Sequence, residues 1–186
     1  MTASWKSDYY KIVDEILKHE EFIKRKDFPH HDKISVYDHC LAVSKLSYTI
    51  ARKMNLDYKS AAIGGLLHDF YSKPWQNATK TDKFLDAHGF THARDALINA
   101  HKYFPHLMNE KIDDIILRHM FPLNKIPPKY KEGWIVTTVD KYISLEVMKN
   151  PKFLPKLVGL GKRSDKNGWY NSSYKYSSRS RCYINN

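Results

Sequence analysis

AAIGGLLHDF (residues 61–70) is the stretch whose reading decides the fold. It reads as the body of an apolar helix that starts near Asp57. Gly64 and Gly65 each cost about 1 kcal/mol of helix propensity, a cost that makes sense where a second helix must approach closely. The helix closes on His68-Asp69. A charged Asp at the end of so apolar a segment is expensive unless it is paired or bound to a metal.

Outward from this segment the chain is helix after helix. Ile12, Val13, Ile16 and Leu17 mark an amphipathic helix over roughly 7–25. Ser35 is an N-cap for a second helix, whose face is Val36, His39, Val43, Leu46, Ile50 and Met54, with Asn55 as its stop. Thr91 caps a helix from His92 to about Phe104, ended by Pro105. Another spans Glu110 to Met120 and stops before Pro122. PLNKIPPKYK (122–131) is an irregular loop, and a last helix runs from about Glu132 to Met148. No alternating strand pattern of useful length and no internal repeat appears, so the fold is all-α, over residues 1–150.

Composition excludes several classes. The 186 residues are 42% hydrophobic and 27% charged with only 7 Gly and 8 Pro, which rules out collagenous, low-complexity or wholly disordered chains. No run approaches the ~18 apolar residues of a membrane span, and MTASWKSDYYKIVDEIL has no signal-type apolar core. Two distant cysteines, Cys40 and Cys182, form no disulfide framework, so a reducing cytoplasm is the expected location. The net charge of +11 invites a nucleic-acid-binding reading. After Asn150, however, eight Lys/Arg face the single acid Asp165. The excess therefore sits mostly in a basic, Ser- and Tyr-rich, irregular tail, 151–186.

All ten histidines lie between positions 19 and 119. Two His-Asp pairs occur, and context separates them. His31-Asp32 belongs to the polar connector FPHHDKIS and reads as solvated loop, whereas His68-Asp69 closes the apolar helix. His39 lies on the apolar face of the second helix. His92 opens its helix, with His88 as a rival. His119 follows Ile112, Ile115 and Ile116, and Asp140 sits beside Val139 within the last helix, where Asp is a poor helix former without another role. Six nitrogen and oxygen donors on five apolar helices suit a metal centre inside a bundle.

The order His39, His68-Asp69, His92, His119, Asp140 resembles the HD superfamily of metal-dependent phosphohydrolases. YDHCLAVSKLSYTIARKMNLD, AAIGGLLHD, HARDAL, IILRH and VTTVDKYIS carry the resemblance, over about 36–146. It implies an HD-domain bundle of about six or seven helices with a binuclear centre. His39, His68, Asp69 and Asp140 would hold one ion, and Asp69 would bridge to a second held by His92 and His119, with His68 and Asp69 also counted as catalytic. Imidazole and carboxylate donors without thiolate favour Fe or Mn, with Zn, Co, Ni or Mg also compatible. Lys73, Arg118 and Lys141 are candidate substrate contacts, and His88 and Thr91 candidate supports for the ligands. Lys73 stands four positions after Asp69, where many HD proteins carry a Lys at the third.

The implied activity is hydrolysis of a phosphoester or phosphoanhydride of a nucleotide-like small molecule. A di-iron oxygenase on the same ligands is a second reading. A nucleic-acid-binding protein using the basic tail, with Trp169, Tyr170, Tyr174, Tyr176 and Tyr183 stacking on bases, is a third. No GYP signature follows and no His-His pair stands at His119, which argues against a cyclic-dinucleotide phosphodiesterase.

Overall fold

A computed structural model describes residues 1–31, 34–72 and 87–150, excluding the side chains of residues 31 and 87–90. Its helices are α1 (Ala3–Lys18), α2 (Glu20–Ile23), α3 (Val36–Lys53), α4 (Tyr58–Leu67), α5 (Ala87–Tyr103), α6 (Glu110–Arg118) and α7 (Lys131–Lys149). The all-α reading holds, with one small addition. β1 (Pro29–His31) and β2 (Ile34–Ser35) pair antiparallel ahead of α3, in the connector read from sequence as solvated loop. Two strands this short give no alternating pattern to detect. The 151–186 tail lies outside the described residues, as do Lys73 and Trp75. Among the described residues no helix is long and apolar enough to cross a membrane.

Helix α4 is the axis of the bundle. Every residue from Ser60 to Leu67 is buried, and α4 packs against α1, α3, α5, α6 and α7. Its glycines have the role their cost implied. A Cβ on Gly64 would lie 2.7 Å from Cγ2 of Ile115, and one on Gly65 would lie 3.1 Å from the Ser44 backbone. These two contacts draw α6 and α3 onto adjacent faces of α4, about 100° apart around its axis. A buried polar relay fixes a third neighbour: the Tyr9 hydroxyl donates to Ser44 Oγ at 2.8 Å, and Ser44 Oγ donates to the Ala62 carbonyl at 2.7 Å.

Capping explains most helix boundaries. Ser35 accepts from the Asp38 amide at 3.1 Å, as expected from its position before α3. Asp57 accepts from the Ser60 amide at 3.0 Å and opens α4. The Glu132 carboxylate then receives the Asp57 amide at 2.9 Å and the Lys111 ammonium at 3.0 Å, locking the start of α4 to α6 and α7. Three expectations need correction. The first helix does not run to residue 25: His19 turns extended, and its Nδ1 accepts the Glu21 amide at 3.2 Å to start α2. Thr91 is not a cap, because α5 begins at Ala87 and carries Thr91 as an exposed residue within it. Helix α6 stops at Arg118, well short of Pro122, because His119 closes it.

Gly64→Ala should destabilise the protein. Overpacking against branched Ile115 costs about 1–3 kcal/mol, which outweighs the ~1 kcal/mol gained in helix propensity. A thermal melt should show a lower Tm, and an unchanged or higher Tm would contradict this packing.

Candidate metal centre

The centre is built at helix ends. His68 and His119 are the residues that close α4 and α6. Each folds its ring back on its own last turn: His68 Nδ1 donates to the Gly65 carbonyl at 2.9 Å, and His119 Nδ1 donates to the Ile116 carbonyl at 2.7 Å. Each bond satisfies a helix-end carbonyl that would otherwise lack a partner. It also fixes the tautomer, so that Nε2 is the atom presented to the interior.

Asp69 follows directly, and its two oxygens face different histidines. Oδ2 lies 3.5 Å from His68 Nε2, whereas Oδ1 lies 3.5 Å from His92 Nε2 and 3.6 Å from His119 Nε2. The Nε2 atoms of His92 and His119 stand 3.1 Å apart. On the other side, Asp140 Oδ1 is 3.0 Å from His39 Nε2 and 3.7 Å from His68 Nε2. All six residues are buried, none more than 8% exposed. The six donors singled out on five helices thus converge on one place.

The donor set fits a cation. His39, His68 and Asp140 form one group whose ligand atoms lie within 4.8 Å of one another, and His68, Asp69 and His119 form another. The His68 Nε2 atom is buried at the middle of the cluster without a hydrogen-bond partner, a costly state for a polar atom unless something else binds it. The electrostatics agree. Burial alone would raise both carboxyls, but the surrounding imidazoles hold Asp69 and Asp140 below the usual carboxylate range. Burial disfavours charge on His68 too, yet Asp69 and Asp140 overcome it and lift this imidazole to about 9. His119 goes the other way, to about 3, through burial and the neighbouring His68.

Lys141 and Arg118 are placed less centrally. Lys141 donates to the His119 carbonyl at 2.8 Å, with its ammonium 4.0 Å from Asp140 Oδ2. Burial lowers its pKa against the pull of the two aspartates. Arg118 faces the loop after α6: its guanidinium meets Asp114 Oδ1 at 3.0 Å and the Pro127 carbonyl at 3.0 Å, which shapes that loop. His88 lies in the first turn of α5. Sequence reasoning passed over His30. Its ring centroid is 4.0 Å from that of His39, and its ligand atom groups with those of His39 and Asp69 within 4.8 Å. Tyr71, whose ring is 6.1 Å from His92, also borders the centre.

A buried cage of imidazoles and carboxylates inside a helical bundle defines a class of metal-binding helical protein. The family is specific: the HD domain model matches residues 36–145, more than half of the chain, and the chain belongs to the HD-domain superfamily of metal-dependent phosphohydrolases. Comparison with curated proteins and with solved structures gives no match.

Metal binding should release a proton from this centre. Without a cation His68 is protonated up to about pH 9, while His119 is already neutral, and a cation must displace the His68 proton to reach Nε2. Apparent affinity for Mn2+ should therefore climb as pH rises from the ordinary histidine range toward 9, with about one proton released. Calorimetry in buffers of unequal protonation enthalpy reads both quantities. A pH-independent affinity without proton release would contradict the assignment.

Proposed function

We propose that this chain is a binuclear phosphohydrolase that cleaves a phosphoester or phosphoanhydride bond of a nucleotide-like substrate. The observation that carries this reading is the divided environment of Asp69. One oxygen faces His68 on the side of His39 and Asp140, and the other faces the paired His92 and His119. A carboxylate so placed is suited to bridging. In this reading His39, His68, Asp69 and Asp140 would hold one divalent ion, and Asp69, His92 and His119 would hold the other, with Fe or Mn favoured by the donor types.

Bound divalent ions supply Lewis acidity, acidifying a water and neutralising charge on the phosphoryl group and the leaving oxygen. The chain's own residues prepare the place. His68 and His119 keep their Nε2 atoms inward through the Gly65 and Ile116 carbonyls. Lys141 anchors the turn at His119 through the His119 carbonyl. The two aspartates contribute −2 against +4 from two divalent ions, so the occupied centre would be net positive and suited to an anionic phosphate.

Separation of the hydrolysis products of a panel of nucleotides and dinucleotides, treated with the Mn2+-loaded protein and kept free of oxygen, tests this reading. Asp69→Ala should abolish hydrolysis and lower bound metal. Turnover that strictly requires oxygen would favour the oxygenase reading instead, and retained hydrolysis in Asp69→Ala would overturn the mechanism.

A further inference from the structure

We propose that His30 is an additional metal ligand, joining His39 and Asp69 on the α3 side of the centre. This rests on the metal reading above and adds to it a residue from outside the helices. Three observations carry it. The first is proximity: His30, His39 and Asp69 each offer a ligand atom, and these atoms lie within 4.8 Å of one another. The two imidazoles are in ring contact, centroids 4.0 Å apart and planes tilted by 40°.

The second is the way the backbone aims the ring. Pro29 pairs with Ser35 and His31 with Ile34, leaving a register irregularity between Pro29 and His31. His30 is thus the extra residue of a bulge, a device that re-aims one side chain out of a regular ladder and is common beside active sites. The third is rigidity. The Val36 amide donates to the Phe28 carbonyl at 2.9 Å, and Ser35 both ends β2 and caps α3. Hairpin and helix therefore form one piece, and the distance from His30 to His39 is set by the fold rather than by a swinging loop. His30 Nε2 is buried although the residue as a whole is only half-buried, as expected for a ring whose inner edge faces the centre and whose outer edge faces solvent.

The consequence is an asymmetric centre. Among the described residues, His30, His39 and Asp69 form one donor group on the α3 side next to that of His39, His68 and Asp140, whereas Asp69, His92 and His119 face one another on the other side. The α3 side should fill first and retain its ion.

Titration of the full-length protein with Co2+, followed by calorimetry and visible absorption, tests this. The wild-type chain should show a tighter and a weaker class of site. His30→Ala should weaken the tighter class by about tenfold or more, shift the absorption of the first equivalent and leave the weaker class within about twofold. Added imidazole should restore the first-equivalent spectrum. His30→Gln, which keeps side-chain bulk, serves if the alanine variant melts early. Wild-type affinity and spectrum in both variants would overturn the ligand role of His30 while leaving the centre intact. Should His68→Ala also bind Co2+ as the wild type does, the metal reading itself fails, and the role of His30 with it.

Discussion

Two carboxylates, Asp69 and Asp140, are buried between helices, and the rest of the centre can be understood as compensation for them. Removing a carboxylate from water costs several kcal/mol even after relaxation, and here two stand close to one another. Protonated His68 offsets part of that charge, and His39 bonds Asp140 at 3.0 Å. His119, pushed down to about 3 by burial and by the neighbouring His68, offers a lone pair rather than a charge. Such a set of donors is preorganised for a divalent cation. The same requirement accounts for the opposite shifts of two histidines whose rings are only 4.9 Å apart.

The helices supply the positions at little additional cost. A histidine that ends a helix can bond its own last turn, which caps a carbonyl and aims the other nitrogen in a single step. His68 and His119 both do this, and the helices they end, α4 and α6, are in direct contact because Gly64 accepts Ile115. Close packing of α4 is therefore part of the site. Any change that spreads α4 from α6 moves His68 away from His119, and one that spreads α4 from α3 moves it away from His39.

Much of this was legible in the sequence because His39, His68, Asp69, His119 and Asp140 interrupt otherwise apolar helical faces, where a polar residue needs a reason. The close approach at Gly64 and Gly65 was legible for a related reason, since propensity was surrendered at a fully apolar site. His30 was not. It lies in a polar connector beside His31 and Asp32, where an ordinary solvated loop would have the same composition, and the bulge that turns it inward depends on pairing across two very short strands. His19 was missed as a helix-breaker because imidazole is not among the usual N-caps. Thr91 was misjudged because a good cap residue need not be used as one when the helix already runs through it. The partners of Arg118, Asp114 and the Pro127 carbonyl, are set by the loop's path, which carries no periodic signal.

The basic excess of the chain is also placed in proportion. Most of the +11 belongs to residues 151–186, while among the described residues the buried centre is lined by two carboxylates and would owe its positive character to bound ions. Anomalous diffraction from crystals of the Mn2+-loaded protein tests that claim most directly. The account predicts two peaks within about 4 Å of each other, one beside His39, His68 and Asp140 and one beside His92 and His119, with Asp69 between them. Metal bound only elsewhere, with the six side chains in the positions described here, would contradict it.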